Sequence, residues 1–267
     1  MKVTKLKELS MLTIKKYVRA ESLEEAYELN QKKTNRIIGG MLWLKTGNKA
    51  VNTAIDLSDL GLDKIEENDE CFSIGAMVTL RQLEMHKGLN TYTDGAVKDA
   101  VKDIVGVQFR NMATVGGSIW GRFGFSDVLT VFMTMDCHIE LYKGGIIPID
   151  EFSKNKYPND ILVRIIVNKH KASYVYSALR IQSTDFPVLT CAASLTGNEC
   201  KVAIGARPAR AIVINEKSAS LDSPAETAKK ITSQIPFGSN IRGSAEYRKH
   251  LAEVLIERSL RSLGGQK

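Results

Sequence analysis

The 267-residue chain has only four cysteines, Cys71, Cys137, Cys191 and Cys200, and no two of them stand in C-x-x-C spacing. That pattern argues against a zinc or iron–sulfur site within the chain and against a disulfide framework. Cys71, Cys137 and Cys191 lie in apolar, strand-like runs that suit small buried hydrophobes; Cys200 follows a turn and is expected to be more exposed. Histidine is equally sparse: His86, His138, His170 and His250 are dispersed and lie outside every glycine-rich stretch, so no catalytic histidine and no metal centre are expected. No apolar run approaches the roughly 20 residues that span a bilayer. Residues 1–9 are too polar for a signal peptide, which points to a cytoplasmic protein away from membranes. Internal repeats and low-complexity segments are absent.

What is present is ordinary in bulk. A hydrophobic content of 43% and a charged content of 25% fit a globular protein, and the length allows two domains with a sizeable core. The net charge is +7, but Lys and Arg are scattered and no basic block is interleaved with aromatics. Nucleic acid is therefore not the expected partner; a modest positive field suits a dianionic ligand or an acidic protein.

Glycine is the residue type with a pattern. Residues 105–136 hold Gly106, Gly116, Gly117, Gly121 and Gly124. The pair Gly116–Gly117 sits between Thr114-Val115 and Ser118, a turn whose successive N–H groups can form a concave anion site suited to a pyrophosphate. Asp127 follows, a carboxylate able to accept from sugar hydroxyls. A second pair stands in Arg36-Ile37-Ile38-Gly39-Gly40-Met41-Leu42-Trp43, a short apolar strand running into a glycine turn. Each pair alone is as well explained by a tight turn between buried elements. Two of them, each after a β-branched segment, read as two loops gripping one extended ligand.

In chain order, the pattern predicts strands over 14–18, 36–38 and 51–57, with a helix from Ser22-Leu23-Glu24-Glu25 to about residue 31. A strand over 71–76 follows, then a helix started by the capping box Thr79-Leu80-Arg81-Gln82, and a helical stripe over 96–104. Residues 128–135 read as a buried helix, 138–142 as a strand, 143–145 as a hairpin turn and 161–167 as a strand. Beyond residue 169, strands are expected over 173–181, 188–195 and 201–206. Two helices close the chain, one begun by Ser223-Pro224-Ala225-Glu226 with Pro at the first helical position inside a capping box, one capped by Ser244.

Four segments resemble a known family. Ala113-Thr114-Val115-Gly116-Gly117-Ser118, with Ser126-Asp127, is similar to the flavin loop of the FAD-binding medium subunits of molybdenum hydroxylases, the xanthine dehydrogenase and carbon monoxide dehydrogenase group. Ile37-Ile38-Gly39-Gly40 resembles the family's first FAD loop. Asp185-Phe186-Pro187 and Arg242-Gly243-Ser244-Ala245-Glu246-Tyr247-Arg248 resemble its C-terminal domain. The segments fall in the family's order and cover nearly the whole chain.

The resemblance implies an α+β chain: a two-subdomain PCMH-type FAD-binding fold over 1–168, divided near residue 60, then a C-terminal antiparallel three-stranded sheet with helices over 169–267. It implies FAD as cofactor, with Arg36, Ile37, Ile38, Gly39, Gly40, Met41, Leu42 and Trp43 in one loop and Thr114, Val115, Gly116, Gly117 and Ser118 in the other. Asp127 would bond the ribityl or ribose hydroxyls, Ile104 stands where many members place an aromatic near the flavin ring, and Leu162 falls at an apolar flavin contact. No residue of this chain is implied to be catalytic. The implied partners are a molybdopterin-binding large subunit and an iron–sulfur small subunit, with NAD a possible acceptor. The chain departs from the family in Ser118, where an Asn is usual, in the apolar pair Met41-Leu42, and in Trp120-Gly121-Arg122-Phe123-Gly124-Phe125 in place of a small polar stretch. Two other readings stay open: a stand-alone flavin oxidoreductase, and a flavin-free scaffold that assembles such a complex.

Overall fold

The structure, a computed structural model, describes residues 11–265, without the side chains of 219 and 220. The polar segment 1–9 lies outside the described residues. The N-terminal unit is β1 (Thr13–Arg19), α1 (Leu23–Asn30), β2 (Arg36–Ile38) and β3 (Ala50–Asp56), with the strands parallel in the order β1-β3-β2. Ser22 caps α1 by accepting from the Glu25 amide at 3.1 Å, and the Glu25 carboxylate reaches back to the amide of Glu21 rather than to that of the cap.

The second unit is built on a five-stranded sheet, β4 (Ile65–Glu67), β5 (Cys71–Gly75), β6 (Cys137–Leu141), β7 (Gly145–Pro148) and β8 (Leu162–Asn168), ordered β4-β5-β8-β6-β7 and antiparallel throughout. Between its strands the chain makes seven short helices: α2 (Leu80–Met85), α3 (Lys87–Tyr92), α4 (Ala96–Lys102), α5 (Val107–Arg110), α6 (Val115–Trp120), α7 (Asp127–Phe132) and α8 (Ile149–Lys154). The expected box at Thr79 and Gln82 is complete, with each side chain bonded to the other residue's amide. Phe72, Phe132, Ile139 and Phe152 are fully buried among these elements.

The C-terminal sheet has four antiparallel strands rather than the expected three: β9 (Ala172–Arg180), β10 (Pro187–Thr196), β11 (Glu199–Gly205) and β12 (Ile212–Lys217). The additional strand is β12, an edge strand. Ile212-Val213-Ile214 has no alternation to mark it, and its residues are only half-buried. β10 is buried on both faces because α7 packs on one side and α10 (Ala245–Leu263) on the other, with α9 (Pro224–Ser233) beside α10. Ser223 does not cap α9, since its side chain accepts no cap hydrogen bond; the Pro at the helix start stands alone. Ser244 does cap α10, accepting from the Tyr247 amide at 3.1 Å. Cys200 is fully buried, contrary to its expected exposure: it lies opposite Leu195 in the β10–β11 ladder and belongs to the same hydrophobic core as Ile231 and Ile256. Cys71 is half-buried, and no cysteine is disulfide-bonded. Among the described residues no helix is long and apolar enough to cross a membrane.

Candidate functional site

A cleft of about 400 Å³ is lined from all three units. The loop after β2 supplies Gly39, Gly40, Met41, Leu42 and Trp43. The second unit supplies Ile104, Val105, Phe109, Thr114, Gly117, Ser118, Phe123, Phe125 and Asp127, and the C-terminal unit supplies Arg180, Asp185 and Phe186. Ten of the residues singled out from sequence meet here. Arg36, Ile37, Ile38, Val115, Gly116 and Leu162 do not line the cleft. The Arg36 guanidinium folds back on the carbonyls of Lys33 and Asn35, and Ile37 and Ile38 are strand residues of β2. Leu162 is buried in β8 opposite Leu141, within the core of the second unit.

The second glycine pair is not a turn but the first turn of α6. Thr114 caps it, accepting from the Gly117 amide at 3.1 Å. The preceding backbone lies along residues 76–80: the amides of Val115 and Gly116 donate to the carbonyls of Val78 and Ala76 at 2.8 and 2.9 Å, and Leu80 donates to Ala113 at 2.8 Å. The two glycines therefore do different work. A Cβ on Gly116 would lie 2.6 Å from the Ala76 carbonyl oxygen, so Gly116 is required by packing. A Cβ on Gly117 would meet only Thr114 Oγ1, at 3.0 Å, and would otherwise project into the cleft.

The first loop has the complementary property. A Cβ on Gly39 would lie 2.6 Å from Thr114 Oγ1, and one on Gly40 would lie 1.9 Å from the Met112 carbonyl oxygen. The bare backbone at these positions is what lets the loop lie against residues 112–114. Met41 turns the chain with φ of 57°, left-handed for a side-chain-bearing residue. Among the described residues, the amides of Gly40, Met41, Leu42 and Trp43 donate to no protein acceptor. Backbone donors left unpaired beside a cavity are open to an acceptor bound there. A run of such donors beside a glycine-bared surface fits an elongated anionic ligand.

Asp127 begins α7 and is buried at 6% exposure. Arg180, from the end of β9, donates to Asp127 Oδ1 at 2.6 Å, and the Tyr176 hydroxyl donates to the same oxygen. Arg180 also donates to the Asp185 carbonyl at 2.7 Å. This buried pair ties the second unit to the C-terminal unit at the edge of the cleft. Burial pushes the Asp127 carboxyl up, to about 6, against the Arg180 charge and the hydrogen bonds from Tyr176 and Arg180. That value lies above the ordinary 3.8. Asp127's own contribution to stability is therefore full below about pH 4 and lost as pH rises through about 6.

Four rings close one end of the cleft. Trp43 packs on Phe123, Phe125 and Phe186, each with ring centroids 5.6 Å apart. Phe123 stacks on Phe125 at 5.2 Å, and Phe125 meets Phe186 edge-on at 4.7 Å. The aromatics at 123 and 125 thus join a wall assembled from all three units, while Trp120 and Arg122 turn away to Phe152.

The far rim is held by a buried ion pair. Arg110 donates to Glu84 Oε2 at 2.8 Å and to the Ile104 carbonyl at 3.1 Å. Burial raises the Glu84 carboxyl's affinity for protons, but the hydrogen bonds and charges of Arg110 and Arg81 outweigh it and hold the group below its usual range. The residue after Ile104, Val105, is β-branched with φ of 51°. Left-handed backbone costs an L-residue about 1–2 kcal/mol, and glycine's extra freedom in the unfolded chain returns about 0.5–1 kcal/mol of that. Val105→Gly should therefore raise stability by up to about 1 kcal/mol, seen as a melting temperature about 2 °C higher. A lower melting temperature would show that the half-exposed Val105 side chain packs better than its backbone is strained.

Arg180, Phe186, Phe109 and Val105 were not singled out as site residues from sequence. Only Phe186 carried a signal, as part of Asp185-Phe186-Pro187; the others reach the cleft through tertiary packing. Among the described residues, no group of three or more His, Cys, Asp or Glu is placed to hold a metal ion.

Residues 9–169 match the family described as the FAD binding domain in molybdopterin dehydrogenase, and residues 169–263 match the CO dehydrogenase flavoprotein C-terminal domain. The uncharacterized protein YgfM of Escherichia coli strain K12 is 23% identical over 254 residues, covering 91% of this chain and 94% of that protein. The glyceraldehyde dehydrogenase medium chain of Sulfolobus acidocaldarius is 25% identical over 274 residues, covering 92% and 97%. A solved chain of carbon monoxide dehydrogenase from Hydrogenophaga pseudoflava superposes with a TM-score of 0.82 at 19% identity, covering 94% and 97%, and so shares the fold. The glycine-bared cleft, its unpaired amides and both family matches lead to one conclusion: this chain belongs to the FAD-binding family of molybdopterin dehydrogenases, an oxidoreductase subunit whose cofactor is FAD.

Proposed function

We propose that this chain carries FAD in the three-unit cleft and passes electrons from an iron–sulfur subunit to an acceptor such as NAD, within a complex whose large subunit holds molybdopterin. The observation that carries the reading is the run of unpaired amides at Gly40, Met41, Leu42 and Trp43 in a cleft that Gly117 also lines without a side chain. Bound FAD would supply reversible two-electron redox chemistry, and the protein's part is binding, orientation and tuning.

In this reading the first-loop amides bind the pyrophosphate, and Thr114, Gly117 and Ser118 close over it from the other side. Asp127 offers Oδ2 to the sugar-chain hydroxyls, since Arg180 and Tyr176 both hold Oδ1. Ile104 and Phe109 line an apolar part of the cleft for the flavin ring, and the four-ring wall keeps water from one end of it. The FAD-binding part extends over 1–168 and the C-terminal part over 169–267. The partner arrangement draws on the relatives: one is named as a medium chain and another as subunit alpha of the 6-hydroxypseudooxynicotine dehydrogenase complex.

The acceptor is tested by mixing the FAD-loaded chain with NADH in the absence of oxygen. Bleaching of the flavin absorption is expected. Retained colour with NADH, together with bleaching by a reduced iron–sulfur protein, would remove NAD and keep the electron-transfer role.

A further inference from the structure

Residues 120–125, where the chain departs from its family, form the fixed half of the ring wall. Arg122 turns the backbone with φ of 46°, and its guanidinium donates to the Phe152 carbonyl at 2.8 Å and to the Trp120 carbonyl at 3.0 Å. Phe123 folds back over Gly121, where a Cβ would lie 2.6 Å from its ring. The Ala206 amide donates to the Gly124 carbonyl at 2.6 Å, and a Cβ on Gly124 would lie 2.4 Å from the Ala209 carbonyl oxygen. Backbone contacts on both sides thus seat Phe123 and Phe125. Phe186 is seated as well: its amide donates to Asp185 Oδ1 at 2.7 Å, Arg242 donates to the same oxygen, and Arg180 donates to the Asp185 carbonyl.

The facing half is held differently. Residues 41–48 hydrogen-bond only among themselves. The Lys45 amide donates to the Met41 carbonyl at 2.9 Å, the Gly47 amide to the Leu44 carbonyl at 3.1 Å, and the Thr46 hydroxyl to the Trp43 carbonyl at 2.9 Å. Among the described residues, no hydrogen bond or ion pair joins this segment to either of the other units. Side chains alone carry the connection. Leu42 leans on the core of the second unit, and Trp43, 47% exposed, packs on all three phenylalanines. The left-handed Met41 stands at the start of the segment, where the chain leaves the tight contact of Gly39 and Gly40 with residues 112–114. A surface segment with few ties beyond its own hydrogen bonds opens at low cost, and a turn at its root serves as the hinge. Its opening carries the unpaired amides of Met41, Leu42 and Trp43 away from the cleft.

We propose, resting on FAD as the occupant of this cleft, that Trp43 is a positioning residue that works as a latch. Its ring, docked on Phe123, Phe125 and Phe186, holds residues 41–48 down. The first-loop amides are thereby kept in place, and the cofactor enters and leaves only when the latch lifts. The aromatic replacement at 123 and 125 is the catch, built into the second unit, on which the indole closes.

Two measurements on the full chain test the latch. The first follows FAD association and release by flavin fluorescence in stopped flow. Ring pairs of this kind hold strongly enough that Trp43→Ala should speed both association and release about tenfold or more, with Kd changing less than either rate. Phe123→Leu, which keeps the indole and removes one partner, should shift both rates the same way, and Trp43→Phe should stay close to the parent. The second measurement is trypsin cleavage after the exposed Lys45, without FAD. In Trp43→Ala it should run about tenfold faster than in the parent, because cleavage follows the population of the open segment, while the other cut sites keep their rates. Faster release with unchanged association would make Trp43 a simple cofactor contact and overturn the latch. Unchanged rates, or cleavage after Lys45 at the parent rate, would overturn it too. A chain that takes up no FAD contradicts the cofactor reading, and the cleavage rate then decides the latch by itself.

Discussion

Gly40→Ala should cost the protein both stability and cofactor. The added methyl would lie 1.9 Å from the Met112 carbonyl oxygen, 2.5 Å from its carbon and 3.1 Å from the Ala113 amide nitrogen. All three are backbone atoms, so no side chain can swing away, and the first loop must move off residues 112–114. Overpacking of this kind costs about 1–3 kcal/mol. The loop's amides move with it, and FAD affinity should fall about 100-fold, equivalent to about 2.7 kcal/mol. Gly117→Val is the contrasting variant. Its side chain meets only the Thr114 hydroxyl and then enters the cleft, so the melting temperature should hold while FAD is lost. Thermal melts and flavin content measured on both variants separate the two roles. Unchanged flavin in Gly117→Val would remove that glycine from the site, and an unchanged melt in Gly40→Ala would show that the loops do not pack as described.

Arg180→Met should be the most destabilising single change at the site. It leaves Asp127, 6% exposed, with only the Tyr176 hydroxyl on Oδ1. Removing one partner of a buried ion pair typically costs about 3–5 kcal/mol. The cost should depend on pH in a definite direction. Asp127 already takes up a proton near pH 6 in the intact protein, and without Arg180 it will do so at higher pH. Protonation relieves the stranded charge, so the variant should be much weaker than the parent at pH 8 and closer to it at pH 5. Arg180→Met combined with Asp127→Asn should recover part of the loss at pH 8. Equal costs at both pH values would mean that Asp127 is not the group that Arg180 neutralises.

These two changes also mark where the sequence was legible. The glycine pairs at 39–40 and 116–117 and the β-branched residues before them were visible as local pattern, and the structure brings Gly39, Gly40 and Gly117 to one cleft. What distinguishes their members is not local. Gly40 is needed because of Met112, and Gly116 because of Ala76, whereas Gly117 borders open space. Nothing in the pair Gly-Gly separates a packing glycine from a ligand-facing one. The second pair also changed character, from a turn to a helix start, because the cap is supplied by Thr114 and the ladder partner is the distant segment 76–80.

Arg180 was invisible for the same reason. Its contact with Asp127 spans 53 positions and crosses from one unit to another, and a single arginine at the end of an apolar strand carries no local mark. β12 was missed because an edge strand needs no clear alternation. β10 was found because burial on both faces makes it a continuous apolar run. Phe123 and Phe125, a departure from the family pattern, became interpretable only when Trp43 and Phe186 were seen to complete their wall.

The central claim is that the cleft lined by the first-loop amides and Gly117 holds FAD. The measurement that tests it most directly is a titration of the purified, folded chain with FAD, followed by absorption and by identification of the cofactor released on denaturation. Saturation at one FAD per chain, abolished in Gly117→Val without loss of fold, is the predicted result. A folded chain that takes up no FAD in excess, or that binds it equally well with valine at position 117, would contradict the account.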